Sequence, residues 1–220
     1  MKNRKRILLI IILFSCSKLW ASYILLPMDD KQNNHLKAYG IAYYSLQNNI
    51  KVSWLLNYRG GSFLIKEYSQ ITNECSIRGV NFEIISDLQS TEILNSIALP
   101  EINQDIVSLN KAPKVAIYSP KNKQPWDDAV TLALKYAEIP YEVVYDQEVL
   151  AGLLPLYDWL HLHHEDFTGQ YGKFYVSFKN ATWYKEQKKL YEKLAKDAGF
   201  SKVSEHKLAV AKKIKEFTAG

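Results

Sequence analysis

The chain reads as an α/β protein built on a mostly parallel, doubly wound sheet with helices on both faces. Three observations predict this. Six short apolar runs rich in β-branched and aromatic residues alternate with longer segments of helical periodicity. Several of those runs are continuously apolar, the pattern of strands covered on both faces. Ile24 to Val52 and Val115 to Val143 are both 28 residues apart, and each pair encloses a strand end, an acidic turn, a helix and the next strand. A βαβ unit has about that length, roughly 30 residues. We therefore expect a flavodoxin-like sheet in two α/β halves, residues 22–112 and 113–220.

The elements follow in order. Lys2, Arg4, Lys5 and Arg6 precede an unbroken run of eight apolar residues at 7–14. This is the charged and apolar start of a secretory signal peptide, which we assign to residues 1–21. A membrane-spanning helix needs roughly 20 apolar residues, so the run is too short for one. The protein is therefore expected to be exported, to the periplasm or cell surface. Two processing readings compete. Leu19-Trp20-Ala21 suits simple cleavage after Ala21, which is favoured; Leu13-Phe14-Ser15-Cys16 approximates a lipoprotein site with a lipid anchor on Cys16, although Phe14 is bulky for that pattern.

The charge balance excludes one function class. Residues 1–21 hold five of the 28 Lys and Arg and none of the 23 Asp and Glu, so 23 of each sign remain after cleavage. Nucleic-acid binders need a concentrated basic face, and no nucleic-acid partner is expected. Of the two cysteines only Cys75 lies in the mature chain, which excludes an intramolecular disulfide and a multi-cysteine metal site.

Strands are predicted at 23–26, 52–56, 82–85, 115–118, 141–145 and 159–163. Leu36, Tyr39, Ile41, Tyr43, Tyr44 and Leu46 give one helical face, Ile71, Cys75 and Ile77 another, and Ala129, Leu132, Leu134, Tyr136 and Ala137 a third. Trp183, Leu190, Tyr191, Leu194 and Ala198 mark an amphipathic helix stopped by Gly199, and Leu208, Val210, Ala211, Ile214 and Phe217 mark the last. In such folds a helix at this point leads back into the sheet, so a further strand is expected after Gly220.

Ligands of open parallel sheets bind beyond the carboxyl ends of the strands, so residues following each strand are the candidates. After the first come Asp29 and Asp30; Asp29 with Gln32 also fits a helix capping box. After the second, Arg59-Gly60-Gly61-Ser62 could cradle an anion, or form a plain glycine turn, since neither GxxxxGK[ST] nor GxGxxG is present. After the fourth, Lys121 and Trp126 are placed to face a cleft. The densest cluster is His161-Leu162-His163-His164-Glu165-Asp166. On a strand His161, His163 and Glu165 share one face, which suits a histidine–carboxylate acid/base pair, a divalent-metal site, or a set of cross-loop hydrogen bonds. Tyr171 and the neighbouring aromatic residues suit a flat ligand such as a sugar, or a satellite core. No GxSxG nucleophile turn is present, and Cys75 fits a buried structural thiol.

The segments SYILLPMDDKQ, WLLNYRGGSF, KAPKVAIYSPKNKQPWDDAVTLALKYAEIPYEVVYD and YDWLHLHHEDFTGQYGKF together resemble a family of exported bacterial proteins labelled asparagine synthetase B. The resemblance spans the mature chain and implies that the family's chains continue beyond residue 220. The residues depart from a true asparagine synthetase: Lys2 stands where its cysteine nucleophile would be, and Gly60-Gly61-Ser62 is followed by Phe63 rather than the Asp-Ser of an SGGxDS pyrophosphate loop. By analogy the sheet is similar to that of class I glutamine amidotransferase-like proteins, which implies a nucleophile after Gly220. The expected function is amidotransferase- or hydrolase-like, on an amide or glycan-derived substrate. The alternatives are a non-catalytic saccharide- or peptide-binding module and, disfavoured, literal ATP-dependent asparagine synthesis.

Overall fold

The computed structural model describes residues 22–120, 129–162 and 177–220. The expected signal peptide at 1–21, with Cys16, and the candidates Lys121, Trp126, His163, Glu165 and Tyr171 lie outside the described residues. The chain divides into two compact units, 1–112 and 113–220, and mixed α/β structure is present in both. No helix among the described residues is long and apolar enough to cross a membrane.

The first unit runs β1 (Ser22–Leu26), α1 (His35–Gln47), β2 (Val52–Leu56), β3 (Ser62–Lys66), α2 (Ser69–Arg78), β4 (Glu83–Ser86), α3 (Asp87–Ile97) and β5 (Asp105–Leu109). Its five strands lie in the order β4-β1-β3-β2-β5, and each neighbouring pair is antiparallel. β1-α1-β2 and β3-α2-β4 are thus two interleaved βαβ units, each split by a strand of the other. This is the ferredoxin-like arrangement, here extended by α3 and β5.

The antiparallel sheet corrects the expectation of mostly parallel pairing in this half. The physical reason lies in the burial. Ile24 and Leu26 face α1 and α2, within a core that includes Ile41, Phe63, Ile65 and Ile71. Leu25 and Leu64 face the other way, against Ile93, Leu94 and Ile97 of α3. With both faces covered, an antiparallel strand has no polar side and reads like a parallel one. Each fully buried aliphatic side chain of these layers contributes about 1.5–3 kcal/mol relative to exposure.

The local chemistry sets the element ends. Asn34 caps α1 by accepting from the Lys37 amide at 3.1 Å. Asp29, expected to cap this helix, instead closes a turn, with its backbone carbonyl accepting from the Gln32 amide at 2.9 Å. α2 ends at Gly79 in the left-handed region at φ 67°, from which its N–H reaches back to the helix carbonyls. Ser86 and Gln89 form a reciprocal capping box at the start of α3.

The second unit runs β6 (Val115–Tyr118), α4 (Ala129–Tyr136), β7 (Tyr141–Val144), α5 (Asp146–Leu150), β8 (Trp159–Leu162), α6 (Thr182–Asp197) and α7 (Val203–Thr218). Its sheet has the order β7-β6-β8, and both pairings are parallel. Val115 and Ile117 pack toward Leu134 of α4, whereas Ala116 and Tyr118 pack with Val210 and Ile214 of α7. Helices therefore cover both faces here, as expected. The 28-residue echo corresponds to a βαβ segment in each unit, direct in β6-α4-β7 and split by β3 in β1-α1-β2.

Candidate functional site

All three strands of the second sheet point their carboxyl ends the same way, and the side chains gathered there begin with Tyr118, the last residue of β6. It is fully buried, as is Ser119 after it. Tyr145 and Asp146 follow β7 directly and start α5, with the Tyr145 amide capped by the Glu148 carboxylate at 3.0 Å. α7 is amphipathic, and its buried positions are His206, Lys207, Val210 and Ile214. Two of those four carry a titratable group into the interior.

Lys207 Nζ donates to Asp146 Oδ1 at 3.1 Å, to the Tyr145 hydroxyl at 3.0 Å and to the Tyr118 hydroxyl at 3.3 Å. Tyr118 in turn donates to Asp146 Oδ1 through a short hydrogen bond. The rings of Tyr145, Tyr191 and Tyr118 surround the ammonium at 4.5, 5.3 and 5.8 Å, so their electron-rich faces add to its stabilisation. Lys207 also lies 3.0 Å from Asp146 Oδ2, but off the hydrogen-bonding direction, so that oxygen keeps an ion-pair contact without a directed bond. Facing it at 3.6 Å is His206 Nε2, which is buried and likewise lacks a hydrogen bond. Burial holds the His206 imidazole below its ordinary pKa; Asp146 opposes that effect and Lys207 reinforces it.

Enclosed in this way, the Lys207–Asp146–Tyr118–Tyr145 cluster ties the carboxyl ends of β6 and β7 to α7. None of these residues stood out in the sequence. Tyr145 and Asp146 do satisfy the positional criterion of directly following a strand, whereas Lys207 lies 61 residues from Asp146 and looks like one more lysine on an amphipathic helix.

The expected cluster begins on β8. His161 pairs in register with Ile117, is half-buried, and stands 6.4 Å from the Trp159 ring in edge contact. Because Leu160 packs on the α7 side, alternation turns His161 and Trp159 to the α4 side. No group of three or more His, Cys, Asp or Glu placed to hold a metal ion occurs among the described residues.

The candidates of the first unit occupy one corner. Arg59 donates through Nε to Asp29 Oδ2 at 2.7 Å and through Nη1 to Glu83 at 3.0 and 3.1 Å. Hydrogen bonding to Arg59 holds the Asp29 carboxyl below its usual range. The same hydrogen bond, donated by Arg59, in turn raises the guanidinium's pKa. The guanidinium thus spends its donors on two carboxylates of its own unit. Asp30 is exposed beside them. Arg59 itself adopts a left-handed φ of 46° and Gly60 one of 82°. A side chain at Gly60 would strike the Met28 carbonyl oxygen at 2.2 Å. Gly61 donates to the Tyr58 carbonyl at 3.0 Å, and its own carbonyl accepts from the Trp54 indole at 3.0 Å. Ser62 Oγ donates to the Arg59 carbonyl at 3.3 Å. Beside this corner lies an open depression of about 520 Å³, lined by Pro27, Lys31, Asn33, Asn81, Glu83 and others.

No family model, curated protein or solved structure matches the chain.

Proposed function

We propose that the protein is an exported amidotransferase- or hydrolase-like enzyme that acts on an amide or glycan-derived substrate at the carboxyl ends of β6 and β8. The observation that supports this is the parallel order β7-β6-β8. In chain order it reads second, first, third, the opening of a flavodoxin-like doubly wound sheet. The chain leaves β6 for one side and returns to the other, so the crevice between β6 and β8 is a topological switch point, where such sheets bind ligands. Ser119 follows β6 directly and His161 lies on β8, the two strands that flank that crevice. Lys121, Trp126, His163, Glu165 and Tyr171 belong to the segments that follow the same two strands in sequence.

In this reading His163, held by Glu165, takes the proton of the attacking group and returns it to the leaving amine or alcohol. The resemblance to the asparagine synthetase B-labelled family and the class I glutamine amidotransferase-like analogy support the reaction class. The test is release of ammonia or sugar from glutamine, model amides and glycosylamines by the full-length protein. His163→Ala and Glu165→Gln are each expected to lower turnover by about 10²–10⁴; unchanged turnover would overturn the assignment. A divalent ion on His161, His163 and Glu165 is the alternative chemistry, and chelation abolishing turnover would favour it. ATP-dependent asparagine formation is expected to be absent. For the address, Cys16→Ser is expected to leave fractionation unchanged; loss of membrane association would favour the lipid anchor.

A second reading, a saccharide- or peptide-binding module, is supported by Phe178 and Trp183. Their rings lie 5.3 Å apart and are 40% and 50% exposed, a surface on which a sugar ring could stack. Binding lost in Trp183→Ala but retained in His163→Ala, with no turnover in either, would favour it.

A further inference from the structure

We propose that His206 makes the docking of α7 responsive to pH: protonation of its imidazole in mildly acidic solution loosens α7 from the sheet of the second unit. The proposal stands on the geometry of the pocket and is independent of the function read above.

The charged groups that face the imidazole are Asp146 of α5, 3.6 Å from Nε2, and Lys207 of α7; Lys207 is in turn held by Tyr118 at the end of β6, Tyr145 after β7 and Tyr191 of α6. The turn at 154–156, which packs on α7 through Leu154, brings no titratable side chain. The Phe200 ring covers the imidazole at 5.4 Å. Lys207 and Asp146 are one cation and one anion, so the pocket is already neutral when His206 is neutral. A proton on His206 makes it two cations on one carboxylate, with the Asp146 side chain 3% exposed and that of His206 2% exposed. Desolvation of the imidazolium is the largest influence and disfavours the charge; Asp146 offsets part of it, and Lys207 adds repulsion.

The sign follows. The imidazole binds its proton less readily in the folded chain than in the unfolded one, so stability is greatest above the unfolded value near 6.5 and is lost as pH falls through the folded one. Relief requires moving His206 toward water, and because His206 lies in the first turns of α7, the helix must move with it. The opposite response is also defined by the geometry. A protonated Nε2 that closed the 3.6 Å gap and donated to Asp146 Oδ2 would tighten α7.

Hydrogen exchange of the full-length protein at about pH 7.5 and about pH 5, corrected for intrinsic rates, separates these outcomes. Peptides from α7 are expected to exchange several-fold faster at the lower pH, while those from α2, which carries no histidine, are unchanged. In His206→Gln the α7 difference is expected to vanish. Slower α7 exchange at the lower pH, no change, or the same dependence in His206→Gln would overturn the proposal. Should His206→Gln fail to fold, NMR titration of the wild-type imidazole decides. Protonation below about 6.5 together with changes in the α7 resonances supports the proposal, and protonation at or above it overturns it.

Discussion

Lys207 Nζ stands 3.0 Å from Asp146 Oδ2, with the two side chains only 8% and 3% exposed. A charge pair at that depth gives up most of its hydration, so its net stabilisation is small compared with the cost of breaking it. Lys207→Met leaves the carboxylate buried without its cation and is expected to cost about 3–5 kcal/mol. The double variant Asp146→Leu, Lys207→Met removes both charges and is expected to cost much less than the sum of the two single changes. Denaturant-dependent hydrogen exchange of second-unit peptides measures all three. Additive losses would show that the two residues are not energetically coupled.

Gly60 and Gly79 are both in the left-handed region, at φ 82° and 67°, yet only Gly60 has backbone packed against the place where a side chain would go. An added Cβ at Gly60 meets Met28 O at 2.2 Å, whereas at Gly79 nothing lies within 4 Å. Gly79→Ala is therefore expected to cost about 1–2 kcal/mol, the conformational penalty alone. Gly60→Ala is expected to cost more, because the β2–β3 turn must separate from the 27–29 segment. Equal losses of stability on thermal unfolding would show that the contact yields freely.

These positions mark how far the sequence could be read. All six anticipated strands form to within a residue or two, because their apolar runs are long enough to outweigh local turn propensity. β3 was missed because it starts at Ser62, directly after Gly61 in a turn tight enough to make the whole stretch look like loop. β5 was missed because Asp105–Leu109 is a mostly exposed edge strand with little apolar signal. The direction of pairing was misjudged in the first unit because α3 covers the sheet face that an antiparallel sheet usually leaves wet. Arg59 was legible as a chemically active residue, but not its commitment to Asp29 and Glu83, since Glu83 is 24 residues away. The buried cluster around Lys207 was invisible for the same reason: it is assembled by topology from four separate segments.

Gln32 is a second product of long-range assembly, and it carries a quantitative expectation. It is 4% exposed, and its Nε2 donates to the carbonyls of Pro27 and Asn81 at 3.0 and 3.1 Å. Its Oε1 accepts from the Asn81 and Asn34 amides at 3.0 and 3.3 Å. The amide thus fastens the β1–α1 connection to the segment before β4. Gln32→Leu keeps the volume but strands backbone groups, and is expected to cost about 2–4 kcal/mol, counting about 1–3 for each group left buried and unpaired. Gln32→Glu sets a buried carboxylate oxygen against the Pro27 and Asn81 carbonyls and is expected to cost at least as much at neutral pH. A loss below about 0.5 kcal/mol in Gln32→Leu, within the range of ordinary surface changes, would mean that water replaces the lost bonds.

Cys75 provides the alkaline counterpart to the acid response of His206. It is fully buried on the inner face of α2, and burial is the main reason its thiol is pushed up to about 12 from 9.0, with nearby Arg78 offsetting part of the shift. Thiolate is the reactive species, so at about pH 8 the folded protein is expected to resist iodoacetamide at Cys75 and to react only as fast as the first unit opens. The same shift fixes a stability trend. Because the folded thiol holds its proton more tightly than the unfolded one, its contribution is complete below the unfolded value near 9 and is lost as pH rises toward 12. Cys75→Ala is expected to remove that share of the alkaline destabilisation while leaving the neutral-pH fold intact. Labelling of native Cys75, located by mass spectrometry, at the rate of an unfolded peptide thiol would show that the site is open to solvent, and the alkaline trend would then be absent as well.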